Sequence, residues 1–117
     1  MIYKIWIDDV RPAPLGYDIW CNSVNQAKAY IIEFEKHIEN ALDERDFPPA
    51  DLWNATIIID TDHDAGDFAW DGGDYIKLLD WLEETGRNYP IRIHSQNPVG
   101  AQNMRAIIRR NGLKEIF

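Results

Sequence analysis

Apolar and polar positions fall into blocks along the chain, and the period changes from block to block. Ile2 to Ile7 is a short β-branched and aromatic run that ends at two carboxylates, Asp8 and Asp9, the pattern of a buried strand. Two prolines and a glycine between Arg11 and Gly16 demand a loop, and Tyr17 to Cys21 reads as a second strand. Ser23 with Gln26 three residues on fits a capping box. Val24, Ala27, Ile31, Phe34, Ile38 and Ala41 then recur at spacings of three and four, which predicts a helix to about Glu44 with one apolar face. Pro48 and Pro49 belong to the loop after it.

Ala55 to Asp60 is another β-branched run. Tyr75, Leu78, Leu79 and Leu82 define a second amphipathic helix that closes near Gly86, and Pro90 to Ile93 is a short strand. Asn97 is a good N-cap and Pro98 suits the first helical position. Met104, Ile107 and Ile108 give that third helix its apolar face, and Gly112 stops it. Leu113 to Phe117 reads as one more strand. Strands alternating with helices predict an α/β fold with a mainly parallel sheet of four to five strands. No repeat or linker interrupts the 117 residues, so residues 1–117 are expected to form a single domain.

Composition narrows the function classes. Hydrophobic residues make up 45% of the chain and include five Trp, enough for a core without covalent staples. The lone Cys21 excludes an internal disulfide and suits a reducing compartment. The first apolar run is too short for a signal-peptide core, and none approaches the ~20 residues of a membrane helix. A cytoplasmic protein with no membrane partner is the expectation. The net charge of −8 argues against a polybasic membrane binder or a coat for long duplex nucleic acid. That charge is regional: the chain is net −13 up to Gly86 and net +5 from Arg87 onward. Asp60, Asp62, Asp64, Asp67, Asp71 and Asp74 all fall within fifteen positions.

In an open parallel sheet, ligands sit beyond the carboxyl ends of the strands. Three predicted strands end in residues able to do chemistry: Asp8 and Asp9 with Arg11 just beyond, then Asp62, His63 and Asp64, then His94, Ser95, Gln96 and Asn97. If the strands are parallel neighbours, these residues share one rim. Clustered carboxylates raise one another's pKa unless a cation intervenes, and oxygen ligands on an open rim suit a hard ion such as Mg²⁺. Asp8, Asp9, Asp62 and Asp64 are therefore the candidate ligands of Mg²⁺ or Mn²⁺; the bland alternative is that Asp8 and Asp9 only cap a strand. An EF-hand register starting at Asp60 fails, because its sixth position is Ala65, its twelfth is Asp71, and a strand rather than a helix precedes it.

His37 lies on a helix beside Lys36 and reads as a surface residue. His63 and His94, at matching strand ends, are candidate acids, bases or metal ligands. The segment from His94 to Gly100 suits an anion: a helix N-terminus supplies unpaired N–H groups, Ser95 and Asn97 add side-chain hydrogen bonds, and Gly100 permits close approach. Arg11 either clamps the same phosphate or pairs with the aspartates beside it. Ser95 lacks a nucleophile-elbow context and no Walker-type glycine loop is present. Trp70, after the acidic cluster, is the aromatic to test as a base-stacking platform.

Paired aspartates after the first strand, an acidic group after the central one and a hydroxyl after a later one resemble response-regulator receiver domains. The sequence more closely resembles the receiver-like family named for cyclic-phosphate processing, in four blocks that run in order over most of the chain. These are Trp6-Ile7-Asp8-Asp9-Val10-Arg11-Pro12-Ala13-Pro14, Asp62-His63-Asp64-Ala65-Gly66, Asp71-Gly72-Gly73-Asp74-Tyr75, and Ile93-His94-Ser95-Gln96-Asn97-Pro98-Val99-Gly100 with Met104. The resemblance implies a small receiver-like (flavodoxin-like) three-layer fold adapted to cyclic phosphates in RNA-end or nucleotide metabolism. Departures from receivers count against phosphorelay signalling. Ala65 stands where a leucine is expected, the lysine after a fifth strand is missing, and a proline loop replaces the helix between the first two strands.

Two functions follow. One is an enzyme, a metal-assisted phosphoesterase (a hydrolase) that processes a cyclic phosphate on a nucleotide or RNA end. Asp62, His63 and His94 would be catalytic, and Arg11, Ser95, Asn97 and Gly100 would hold the phosphate. The other is a non-catalytic receiver-derived module that binds a phosphate ligand, a cyclic nucleotide or a protein partner.

Overall fold

The computed structural model describes residues 1–44 and 55–116. Four strands, β1 (Ile2–Ile7), β2 (Ile19–Cys21), β3 (Thr56–Thr61) and β4 (Ile91–Ile93), form one sheet in the order β2-β1-β3-β4, every pair parallel. Three helices follow the strands: α1 (Val24–Asp43), α2 (Ile76–Glu84) and α3 (Pro98–Arg110). This is the small receiver-like α/β fold that the sequence predicts. The boundaries move by a few residues at most, β2 losing Tyr17 and Asp18 to the preceding loop. The expected prolines at 48 and 49 lie outside the described residues. The expected last strand shrinks to one parallel bridge, Glu115 to Ile91, at the free edge of β4.

The helix ends form for the reasons their residues suggest. Ser23 caps α1, its Oγ accepting from the Gln26 N–H at 3.1 Å, while Gln26 Oε1 reaches back to accept from the Asn22 N–H at 2.8 Å. The same Ser23 hydroxyl donates to Asp71 Oδ2 at 2.6 Å, which ties the loop after β3 to the start of α1. Asn97 caps α3 by accepting from the Gly100 N–H at 3.0 Å, with Pro98 in the first turn.

Sheet register decides which side chains share a face. Ile5, Ile7, Ile19, Cys21, Ile57, Ile59 and Ile91 align across the strands. They join one core cluster with Val24, Ala27 and Ile31 of α1, Leu78, Leu79 and Leu82 of α2, and Met104 and Ile108 of α3. All three helices therefore cover a single face. Handedness explains why. The chain moves the same way across the sheet from β2 to β3 and from β3 to β4, and right-handed crossovers place both connecting helices on one side.

The step from β1 to β2 runs in the opposite direction, so its crossover belongs on the other face. A helix there would complete three layers. The proline-bearing segment 8–18 takes its place, so among the described residues the third layer is a loop. It covers the row formed by Lys4, Trp6, Trp20, Asp60 and Arg92. Trp6 Nε1 donates to the Arg11 carbonyl at 2.8 Å, Tyr17 sets its ring edge-on to Trp6, and the Tyr17 hydroxyl donates to Asp60. Trp6 is consequently buried without a helix above it.

Because Ser23 serves both cap and loop, Ser23→Ala is expected to lower stability by about 1–2 kcal/mol. Urea unfolding at unchanged slope checks this; a midpoint equal to the wild type contradicts it.

Candidate functional site

Strand order reverses between β1 and β3, since the chain goes out to β2 and then returns past β1. The crevice beyond the carboxyl ends at such a point is where open α/β sheets bind ligands. An open cavity of about 440 Å³ lies there, lined by Asp8, Asp9, Val10, Arg11, Asp62, Asp64, Ser95, Gln96 and Asn97. Carboxylate oxygens of Asp8, Asp9 and Asp62 come within 4.8 Å of one another.

The three carboxylates differ in what surrounds them. Asp8 is buried and fully used: Oδ1 accepts from the Val10 and Arg11 N–H groups at 2.9 and 2.7 Å, and Oδ2 faces Arg11 Nε at 3.1 Å and His94 Nε2 at 3.0 Å. Burial pushes its carboxyl up, but those N–H groups, the imidazole and the guanidinium outweigh that and hold it below the ordinary range. Asp9 is the opposite case. Burial raises it, and the negative charges of Asp8, Asp62 and Asp64 raise it further. No cation pairs with it among the described residues. It leans over Gly66, where φ is +52° and an added Cβ would stand 2.2 Å from Asp9 Oδ2, so that glycine is required twice over. Asp62 Oδ1 accepts from the His63 N–H at 2.7 Å, and its Oδ2 lies 3.6 Å from the Arg11 guanidinium.

Arg11 is thus the resident cation, spanning Asp8 and Asp62 and also donating to the His94 carbonyl at 3.3 Å. Of the two roles open to it in the sequence, the described structure displays the pairing with aspartates. Its side chain is 41% exposed, so it is the donor to Asp8 that can swing away.

Ser95 and Asn97 line the cavity beside the carboxylates, but their side chains serve the local turn. Ser95 Oγ accepts from the Asn97 N–H at 3.1 Å, and Asn97 Oδ1 caps α3. Gly100 does not line the cavity. Its bare Cα seats the His63 ring, and a Cβ there would stand 2.5 Å from His63 Cγ. Close approach is needed, as the sequence suggests, but the group that approaches is an imidazole of this chain. His63 Nδ1 faces Asp64 Oδ1 at 2.7 Å, which places the His63–Asp64 pair at the rim with Asp64 on the cavity side.

His94 departs most from a rim residue. Its side chain is only 6% exposed, with Nδ1 2.6 Å from Asp60 Oδ1 and Nε2 3.0 Å from Asp8 Oδ2. Its ring stacks on Trp6 with centroids 3.7 Å apart and planes 5° from parallel. Asp60 itself is 1% exposed and also accepts from the Tyr17 hydroxyl and from Arg92 at 2.9 Å. Burial raises its carboxyl, while His94, Tyr17 and Arg92 more than offset that, so it too lies below the ordinary range. In the sequence Asp60 is one member of the acidic cluster, and nothing in that cluster singles it out for a role. Its signal is parity: in β3 it faces away from Ile57 and Ile59, on the side of Trp6 and Arg92. Trp70, the aromatic singled out for stacking, is exposed and outside the cavity lining.

The model of the family described as Cyclic-phosphate processing Receiver domain matches residues 3–110. The chain belongs to that family, and the matched span includes every residue of the carboxylate cavity. Comparison with curated proteins and with solved structures gives no match. Among the described residues no helix is long and apolar enough to cross a membrane.

An oxygen-only donor set with one carboxylate short of a cation fits a hard divalent ion. Asp9→Asn is therefore expected to raise the melting temperature in metal-free buffer, by removing a repelled charge. The gain should shrink in millimolar Mg²⁺, and a gain independent of Mg²⁺ contradicts the fit.

Acid stability has a definite sign. Asp8 and Asp60 lie below the free-carboxyl value of 3.8, so their contribution is complete above that value. It fades as pH falls from there towards their folded values. Asp60→Asn should lose less stability than the wild type between about pH 5 and about pH 3, as measured by urea unfolding at each pH. Equal losses would contradict this.

Proposed function

We propose that this chain is a metal-assisted phosphoesterase that processes a cyclic phosphate on a nucleotide or an RNA end. One observation carries the reading: a cavity with three converging carboxylates and an exchangeable arginine, in a chain of a family described by cyclic-phosphate processing. Asp8, Asp9 and Asp62, with Asp64 at the edge, are the proposed ligands of Mg²⁺ or Mn²⁺. Such an ion, when bound, polarises phosphoryl oxygens and offsets their charge.

The chain's own groups then have distinct work. Arg11 exchanges Asp8 and Asp62 for the phosphate, which it can grip with two parallel N–H groups. Ser95 and Asn97, which line the cavity beside the carboxylates, are the proposed side-chain donors to the phosphate oxygens. In ring opening, a water oxygen bonds to phosphorus while the bond from phosphorus to one ribose oxygen breaks. The proton lost by the water ends on that ribose oxygen. The His63–Asp64 pair at the rim is the proposed carrier of that proton. His94, enclosed by two carboxylates, acts on the reaction through Asp8. The proposed setting is the cytoplasm, with a small nucleotide or an RNA end as partner.

A second reading, a binding module without turnover, is favoured by the fact that neither histidine lines the cavity. Incubation with 2′,3′-cyclic nucleotides and cyclic oligonucleotides, with and without Mg²⁺ or Mn²⁺, separates the two. The enzyme is expected to yield metal-dependent phosphomonoester product, with His63→Ala slower by about 10²-fold or more. A rise in melting temperature with no product would assign the module instead.

A further inference from the structure

A buried chain of charged groups runs behind the cavity, and nothing in the ring-opening scheme uses its far end. Asp8 presents its carboxylate to the cavity, and four donors fix that carboxylate. Two are backbone N–H groups on Oδ1; on Oδ2 the donors are Arg11 and His94. Arg11 is half exposed and is the donor that must leave if an ion or a phosphate enters. Once it leaves, His94 is the side chain that still sets the direction of Oδ2.

The orientation of His94 is in turn inherited. One face of its ring lies flat on Trp6, and its second nitrogen is held by Asp60 at 2.6 Å. Asp60 is itself fixed from two further directions, by the Tyr17 hydroxyl from the crossover loop and by Arg92 from β4. Asp60 does not line the cavity. A carboxylate that orients an imidazole, which in turn orients a ligand group, is the arrangement by which outer groups tune a metal site.

We propose that Asp60 is a positioning residue for divalent-cation binding: through His94 it fixes the direction in which Asp8 Oδ2 is presented to the cavity. The Tyr17 hydroxyl steadies Asp60 and so extends the same line of control into the crossover loop. This inference rests on the reading that the cavity takes a divalent cation.

The test is a calorimetric Mn²⁺ titration of the full chain, with Tm and far-UV spectra recorded for each variant. Wild type is expected to bind Mn²⁺, and Asp60→Asn to bind about tenfold or more weakly while remaining folded at the titration temperature. A merely structural role would lower Tm and leave the Mn²⁺ affinity of the folded protein unchanged; that result overturns the proposal and leaves the metal site standing. If Asp60→Asn does not fold, Tyr17→Phe, which keeps the ring against Trp6, is the deciding variant. It should weaken Mn²⁺ by about threefold, and wild-type affinity in it overturns the proposal. Absence of Mn²⁺ binding by the wild type overturns both the proposal and the metal reading.

Discussion

A single imidazole held between two buried carboxylates organises this protein. Asp8 and Asp60 are each 1% exposed, and burying either charge alone would be expensive. Each is acceptable because a ring nitrogen of His94 lies within 3.0 Å of it, while Arg11 supports one end and Arg92 and Tyr17 the other. Removing one partner from such a buried set typically costs about 3–5 kcal/mol, because a charge is left behind without compensation. The set also joins three neighbouring strands: Asp8 follows β1, Asp60 lies in β3 and His94 follows β4.

The handedness of the crossovers explains why such a set can exist. Three helices packed on one face leave the other without a helical layer among the described residues, and the crossover loop has to close it. A short loop covers less area than a helix and brings few apolar side chains. The face beneath it accordingly carries Trp6 and the charged Asp60 and Arg92, which are satisfied by one another and by the loop's Tyr17. The same loop carries Asp8, Asp9 and Arg11, so one segment both lines the cavity and covers the second face.

Much of the fold was legible in the sequence because its signals are local. The Ser23 and Asn97 caps, the three- and four-residue spacing from Val24 to Ala41, and the β-branched runs of β1 and β3 each depend on neighbours within a turn or a strand. The rim was legible for the same reason, since Asp8, Asp9, Asp62 and Asp64 follow directly on recognisable strand ends. His94 and Gly100 were harder. A histidine at a strand end looks alike in sequence whether its ring faces solvent or turns back onto Trp6. A glycine that admits a ligand is written like one that admits a neighbouring imidazole.

The sequence by itself determined the α/β alternation, the caps at Ser23 and Asn97 and the acidic strand ends, because periodicity and capping are properties of consecutive residues. Only the tertiary structure decided which acids face the cavity and which are enclosed. Asp60 lies in β3 and Asp62 just beyond its end, two residues apart, yet one is held by Tyr17, Arg92 and His94 while the other stands at the cavity beside Arg11. Those partners come from residues as far as 43 positions away in the chain, and the charge environment of a carboxylate is set by what lies within a few ångströms in space.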